Sequence, residues 1–186
     1  MKNNLSSLVL LASLSLFLPL FSVIAKADDA KKSLSDYRLG AGDKISVQVY
    51  GEPDLSIEAI LSDAGTISYP LLGELKVSKL TIGKLSALIV DELKGRFIVD
   101  PKITINIVEY RNFYINGEVK KPGAYPYEPG LTIYKAITMA GGFTNRASRS
   151  SITLIAEDDQ EQIPRDMELN TPVNPGDIIN IEESFF

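Results

Sequence analysis

The chain has no cysteine and no histidine among its 186 residues. Without cysteine there is no disulfide framework and no thiolate metal site. There is also no thiol after the first apolar segment to carry a lipid anchor, so a lipoprotein is not expected. Without histidine, imidazole zinc sites and triads with a histidine base are excluded. Phosphate-cradling glycine loops and nucleophile-elbow sequences are missing too. The chain is expected to carry no catalytic residues, no cofactor and no metal. Positive charge is in the minority, with 19 Lys and Arg against 24 Asp and Glu and a formal net charge of −5. That balance disfavours nucleic acid and anionic lipid as partners. Its plainest use is solubility.

Long apolar runs are also scarce, with one exception. Leu5 to Ile24 is nearly continuous apolar sequence, interrupted by serines and Pro19. Lys2 gives it a positive start. Ala25-Lys26-Ala27 puts small residues where a signal peptidase reads, and Asp28 and Asp29 follow. The pattern predicts a signal peptide over residues 1–27, cut between Ala27 and Asp28. A run of ~20 apolar residues also suffices to span a bilayer. Pro19, the serines and the small-residue ending favour cleavage. Removal of Lys2 and Lys26 makes the mature chain more acidic still. The remainder is long enough to bury a core without covalent staples.

Periodicity predicts two helices and many short strands. Alternating apolar positions at Ile45, Val47 and Val49, at Ile103, Ile105 and Ile107, and at Ile152 and Leu154 predict half-buried strands. Shorter extended pieces are expected near Ile67, at Leu75 to Val77, at Phe113 to Val119 and at Ile178 to Ile181. Thr81 is a good N-cap for a helix reaching about Lys94, with an apolar stripe of Leu85, Leu88, Ile89 and Leu93. Gly95 ends it. Thr132 starts a second helix, with Ile133, Ala136, Ile137 and Ala140 on one face and Gly141-Gly142 at its end. This order of elements predicts an α+β fold in two small units, 28–110 and 111–186, with a break near Tyr110 to Asn112. Units of this size are expected to support each other across an interface.

The same Gly-Asp pair precedes an apolar strand twice, at Gly42-Asp43-Lys44-Ile45 and at Gly176-Asp177-Ile178-Ile179. It reads as shared turn chemistry rather than an internal repeat. Gly40, Gly42, Gly51, Gly65, Gly73 and Pro53 read as turn residues, and Pro122-Gly123 suits a type II turn. Two acidic runs, Glu157 to Glu161 and Glu182-Glu183, raise the question of a glycosidase. That chemistry needs two carboxylates held across a cleft with unlike protonation. Neighbours in a polar run read instead as solvated loops. Aromatic residues are the better binding candidates. Tyr110, Phe113, Tyr114, Tyr125 and Tyr127 gather near the break, beside Arg111 and Asn112. Tyr110, Arg111 and Tyr114 are the candidate glycan contacts, with core or subunit interface as the competing use.

Tyr37 to Ser56 (YRLGAGDKISVQVYGEPDLS) and Asp63 to Thr81 (DAGTISYPLLGELKVSKLT) resemble the bacterial polysaccharide export family of Wza-type outer-membrane auxiliary proteins. The matching positions are Gly42, Asp43, Pro53, Asp54, Leu55, Pro70, Gly73 and Pro101. Tyr114 to Ser148 resembles the β-grasp repeat called SLBB, through Gly117, Pro122, Gly123, Ala140, Gly141 and Gly142. These marks are mainly structural. The resemblance implies an export domain with mixed strands and one helix, followed by one β-grasp-like SLBB domain. It implies a non-enzymatic subunit of a homo-oligomeric ring in the periplasm, associated with the outer membrane, with polysaccharide as cargo. Longer members of the family add repeats and a C-terminal pore helix. This sequence shows one repeat and stops at Phe185-Phe186, so a short form is expected. Its partners would be an outer-membrane β-barrel or pore protein and an inner-membrane polysaccharide co-polymerase. The alternative is a monomeric periplasmic glycan-binding module.

Overall fold

The computed structural model describes residues 37–184; the expected cleavage site at Ala27 and Asp28 and the terminal Phe185-Phe186 lie outside them. Strand β1 (Lys44–Val49) is the centre of a three-stranded antiparallel sheet, flanked by β2 (Ile57–Ile60) and β5 (Ile103–Glu109). Its pleat turns Ile45, Val47 and Val49 into the core and leaves Ser46 and Gln48 on the other face. Val47 stands opposite Ile57 on one side and Ile105 on the other. A 3-10 turn at Pro53–Leu55 joins β1 to β2.

A hairpin of β3 (Thr66–Tyr69) and β4 (Gly73–Lys76) adds Ile67 and Tyr69 to the same core. The buried Tyr69 hydroxyl is satisfied by donating to the Leu55 carbonyl at 2.9 Å. Helix α1 (Ile82–Leu93) closes the unit. Thr81 caps it, its side chain accepting from the Lys84 N–H at 3.3 Å. Leu85, Ile89 and Leu93 are fully buried one turn apart, and Leu88 is partly buried beside them.

The second core lies under a five-stranded sheet of order β7-β6-β10-β8-β9. These strands are β6 (Phe113–Gly117), β7 (Gly123–Tyr125), β8 (Ala147–Ile155), β9 (Arg165–Asp166) and β10 (Ile178–Glu183). Strand β10 runs parallel to β6 and antiparallel to β8. Helix α2 (Ile133–Met139) packs Ile133, Ala136 and Ile137 against Phe113, Ile115, Ile179 and Ile181. Burying each of these isoleucines contributes about 1.5–3 kcal/mol. Thr132 caps the helix start through the Lys135 N–H at 3.4 Å. At its end Gly142 N–H donates to the Ile137 carbonyl and Gly141 N–H to that of Thr138, a Schellman closure. A parallel strand pair crossed by one helix is a β-grasp arrangement, so the fold is α+β with the expected character in both halves.

Two details differ from the sequence reading. Pro122-Gly123 makes no type II turn: Gly123 has φ 155° and opens β7, whereas that turn needs a φ near +80°. The chain turns earlier, after Gly117, and the 119–121 segment is then fastened by Lys120 N–H to the Gly142 carbonyl and Lys121 N–H to that of Ala140. Strand β6 accordingly stops at Gly117, and Val119 makes only an isolated bridge to Phe143.

Candidate functional site

Three residues, Tyr110, Arg111 and Asn112, connect β5 to β6, and all three are pinned. The Tyr110 ring meets Tyr37 edge-on at 5.1 Å and Tyr127 at 5.3 Å between centroids. The Asn112 carbonyl accepts from the Gly176 N–H at 2.9 Å. Arg111 occupies the middle of a polar clamp.

The clamp is organised by Asp43 and Asp177, the buried charged residues among those described, at 0% and 2% exposure. Both follow a glycine in the left-handed region, Gly42 at φ 89° and Gly176 at φ 90°, which is where a side chain would be strained. Each aspartate accepts from the backbone N–H three residues earlier, Gly40 for Asp43 and Asn174 for Asp177, both at 2.8 Å. The Gly-Asp echo in the sequence is thus one turn built twice. The second oxygen of each then reaches across the chain. Asp43 Oδ1 accepts from the Arg111 N–H at 2.9 Å. Asp177 Oδ1 accepts from the Glu157 N–H at 3.2 Å. Burial raises the Asp177 carboxyl above the ordinary aspartate value, although its hydrogen bonds from Asn174 and Glu157 pull the other way.

Arg111 joins the two turns. Its Nη1 donates to Asp43 Oδ2 at 3.0 Å and to the Tyr37 hydroxyl at 2.6 Å. Its Nε donates to Glu157 Oε2 at 2.6 Å, and Nη2 pairs with the same oxygen. The guanidinium also lies 5.7 Å from the Tyr37 ring centroid, within cation–π range. Burial opposes its charge, but Glu157, Tyr37 and Asp43 outweigh that and hold its pKa above the ordinary arginine value. Gly40 provides the space: a Cβ there would lie 2.5 Å from Arg111 Nη1. The need at Gly40 is for room, with no unusual φ.

The sequence candidates separate in space. Tyr110 and Arg111 meet in the clamp. Tyr114 does not join them; it stands on the outward side of β6, 46% exposed. Phe113 is fully buried and stacks on Tyr125 at 5.9 Å. Tyr37, Asp43 and Glu157 complete the clamp without having been marked as contacts. Glu157 lies in the first acidic run but faces Arg111. Asp159 of that run holds Arg165 at 2.9 Å, and Glu183 of the second run pairs with Arg146. Among the described residues no group of three acidic side chains is placed to hold a metal ion. None of their buried side-chain polar atoms is left without a partner. An arrangement so fully satisfied fixes geometry.

The clamp has a measurable signature at high pH. Tyr37 is held far above the ordinary phenol value of 10.0, by burial first and by its hydrogen bond to Asp43 second. The unfolded chain would lose this proton near 10.0 while the folded chain keeps it. The unfolded state then binds fewer protons, so stability falls as pH rises. The contribution is complete below the ordinary value and is lost above it, at about 1.4 kcal/mol per pH unit. Tyr37→Phe is expected to flatten the alkaline limb of the stability curve by that slope, measured by urea unfolding from about pH 9 to 12. An unchanged limb would mean that burial and Asp43 together do not hold the phenol above its ordinary value.

A family model described as polysaccharide biosynthesis/export protein matches residues 31–108. A model of the SLBB domain matches residues 112–166. The exopolysaccharide production protein ExoF of Rhizobium meliloti is 29% identical over 137 residues, which cover 67% of this chain and 32% of that protein. The EPS I polysaccharide export outer membrane protein EpsA of Ralstonia nicotianae is 26% identical over 184 residues, 79% of this chain and 47% of that one. EpsA of Ralstonia solanacearum is 26% identical over 155 residues, 68% of this chain and 41% of that one. The chain thus spans 32–47% of the length of these relatives. The two matched segments meet at the connector that carries Arg111. The chain belongs to the bacterial polysaccharide export protein family, with an export segment followed by an SLBB segment.

Proposed function

We propose that this chain is a non-enzymatic subunit of a conduit carrying polysaccharide across the periplasm and the outer membrane. The observation that carries the reading is the order of the export and SLBB segments, fastened together by Asp43, Arg111 and Glu157. A ring of identical copies closes only if each copy repeats the same angle at its interfaces. A subunit made of two cores needs a stiff joint for that, and the clamp supplies one. The non-enzymatic reading is supported by the two buried carboxylates, whose oxygens are taken up by N–H and guanidinium donors.

In this reading residues 1–27 are a cleaved signal peptide, 28–110 the export domain and 111–186 the SLBB domain. The mature protein works in the periplasm, next to the outer membrane, as a homo-oligomeric ring. Among the described residues no helix is long and apolar enough to cross a membrane. We assign the crossing to a partner, an outer-membrane β-barrel or pore protein. An inner-membrane polysaccharide co-polymerase would deliver the cargo. Light scattering of the mature protein tests the assembly. A closed multi-copy species is expected. A stable monomer that binds oligosaccharide would overturn the ring and favour a glycan-binding module.

A further inference from the structure

We infer that the outer face of β1 and β5 is the surface on which the polysaccharide strand runs, with Tyr50 as its stacking platform. This rests on the export reading above and names the contact surface within it. Because β1 sends its apolar residues inward, Ser46 and Gln48 lie on the outward side. Across the ladder Asn106 stands opposite Ser46, and Thr104 opposite Gln48. Thr104 and Asn106 are exposed and their neighbour Ile105 is buried. Residues directly opposite on one face are close enough to act as a unit. Four uncharged hydroxyl and amide side chains thus form one block. Nearby polar groups are occupied, Ser56 by the Val49 N–H and Lys44 by Glu58. Among the described residues the side chains of the four have no such partner.

At the end of the block the chain turns at Tyr50, whose N–H donates to the Lys102 carbonyl at 2.9 Å. Its side chain is 85% exposed. A depression of about 620 Å³ opens beside it, lined by Gln48, Tyr50, Ser56, Lys102 and Thr104 among others. Its open form lets a strand lie across it and continue past it. A single exposed aromatic is ordinary. An exposed aromatic beside a block of amides and hydroxyls without partners among the described residues is a match for a sugar. The ring offers its face to the C–H side of a pyranose, and the amides and hydroxyls both donate and accept toward its hydroxyl groups.

Charge points the same way. The chain is acidic, with a formal net charge of −5. The depression contains no Asp or Glu, and its one charged residue is Lys102. A neutral polymer suits this surface best, since exposed Glu52 and Asp54 flank the depression and Glu58 stands opposite Ser46, and a lone cation holds the polymer only weakly. A second copy of the chain is the poorer occupant of the polar block itself, because the centres of protein interfaces are more apolar; the exposed apolar residues Ile60 and Val108 lie beyond the block.

The test uses the full chain in its own host, after removal of the chromosomal copy. The triple variant Gln48→Ala, Tyr50→Ala, Thr104→Ala replaces surface side chains, for which folding is little affected. Secreted polysaccharide is expected to fall by about threefold or more, equivalent to loss of a weak contact. Protein level and assembly size by light scattering should be unchanged. Tyr50→Trp, which keeps an aromatic face, should export normally. Undiminished export by the triple variant overturns the surface and leaves the export reading intact. Loss of export with a changed assembly size also overturns it, by identifying a contact between copies. Undiminished export in cells lacking the protein altogether would sink the export reading itself.

Discussion

Arg111→Met is expected to destabilise the protein by about 3–5 kcal/mol, the cost of leaving a buried charge without its partner. Asp43 has 0% exposure and the Arg111 side chain 17%, so the carboxylate keeps its donors from Tyr37, Gly40 and the Arg111 N–H but loses the guanidinium that offsets its buried charge. The Glu157 end of the pair is 41% exposed and should contribute less than the Asp43 end, although it is the arm that reaches the second core. At this chain length such a loss lowers Tm by about 10 °C. Arg111 also joins the two cores, so calorimetry should show one transition dividing into two. Asp43→Asn added to Arg111→Met should recover part of the loss, because it removes the orphaned charge. A cost below about 1 kcal/mol would mean that Arg111 behaves as an exposed pair and that the clamp does not hold the joint.

Gly117→Ala should cost about 3 kcal/mol, by a different mechanism. Gly117 ends β6 with φ 80°, where an alanine is strained. Its new Cβ would also fall on the backbone carbonyl of Ile181. That carbonyl belongs to the parallel β6–β10 pair at the centre of the sheet and accepts from the Glu118 N–H at 3.0 Å. Neither strand can retreat without breaking ladder bonds, so the strain adds to the clash. Urea unfolding measures this directly. A loss under about 1 kcal/mol would mean that the strand end can shift freely.

Local chemistry explains what could be read in advance. Thr81 and Thr132 marked both helix starts because capping acts within three residues. Leu85, Ile89 and Leu93 were legible as a buried stripe because helical spacing is fixed. The alternation at Ile45, Val47 and Val49 gave β1 for the same kind of reason. Strand β9 has two residues and β7 three, too few to show a period. Strand β2 reads IEAI, too short to show its role as partner of β1. Pro122-Gly123 misled because a turn-prone pair does not bend when the backbone turns elsewhere.

The clamp was legible only in parts. The Gly-Asp pairs announced two turns, but their burial depends on what folds over them. Arg111 drew notice for its position among aromatics. Its partners lie 68 residues before it and 46 after it. No local pattern links such positions. Glu157 sits in a run that is otherwise solvated, so its neighbours disguised it. Gly40 resembled its turn-forming neighbours, although its task is to leave room for a guanidinium.

The measurement closest to the central claim is secreted polysaccharide in host cells that lack this protein. Export by a dedicated conduit predicts that polymer disappears from the medium, accumulates inside the envelope, and returns when the full chain is supplied. Undiminished secretion without the protein would contradict it.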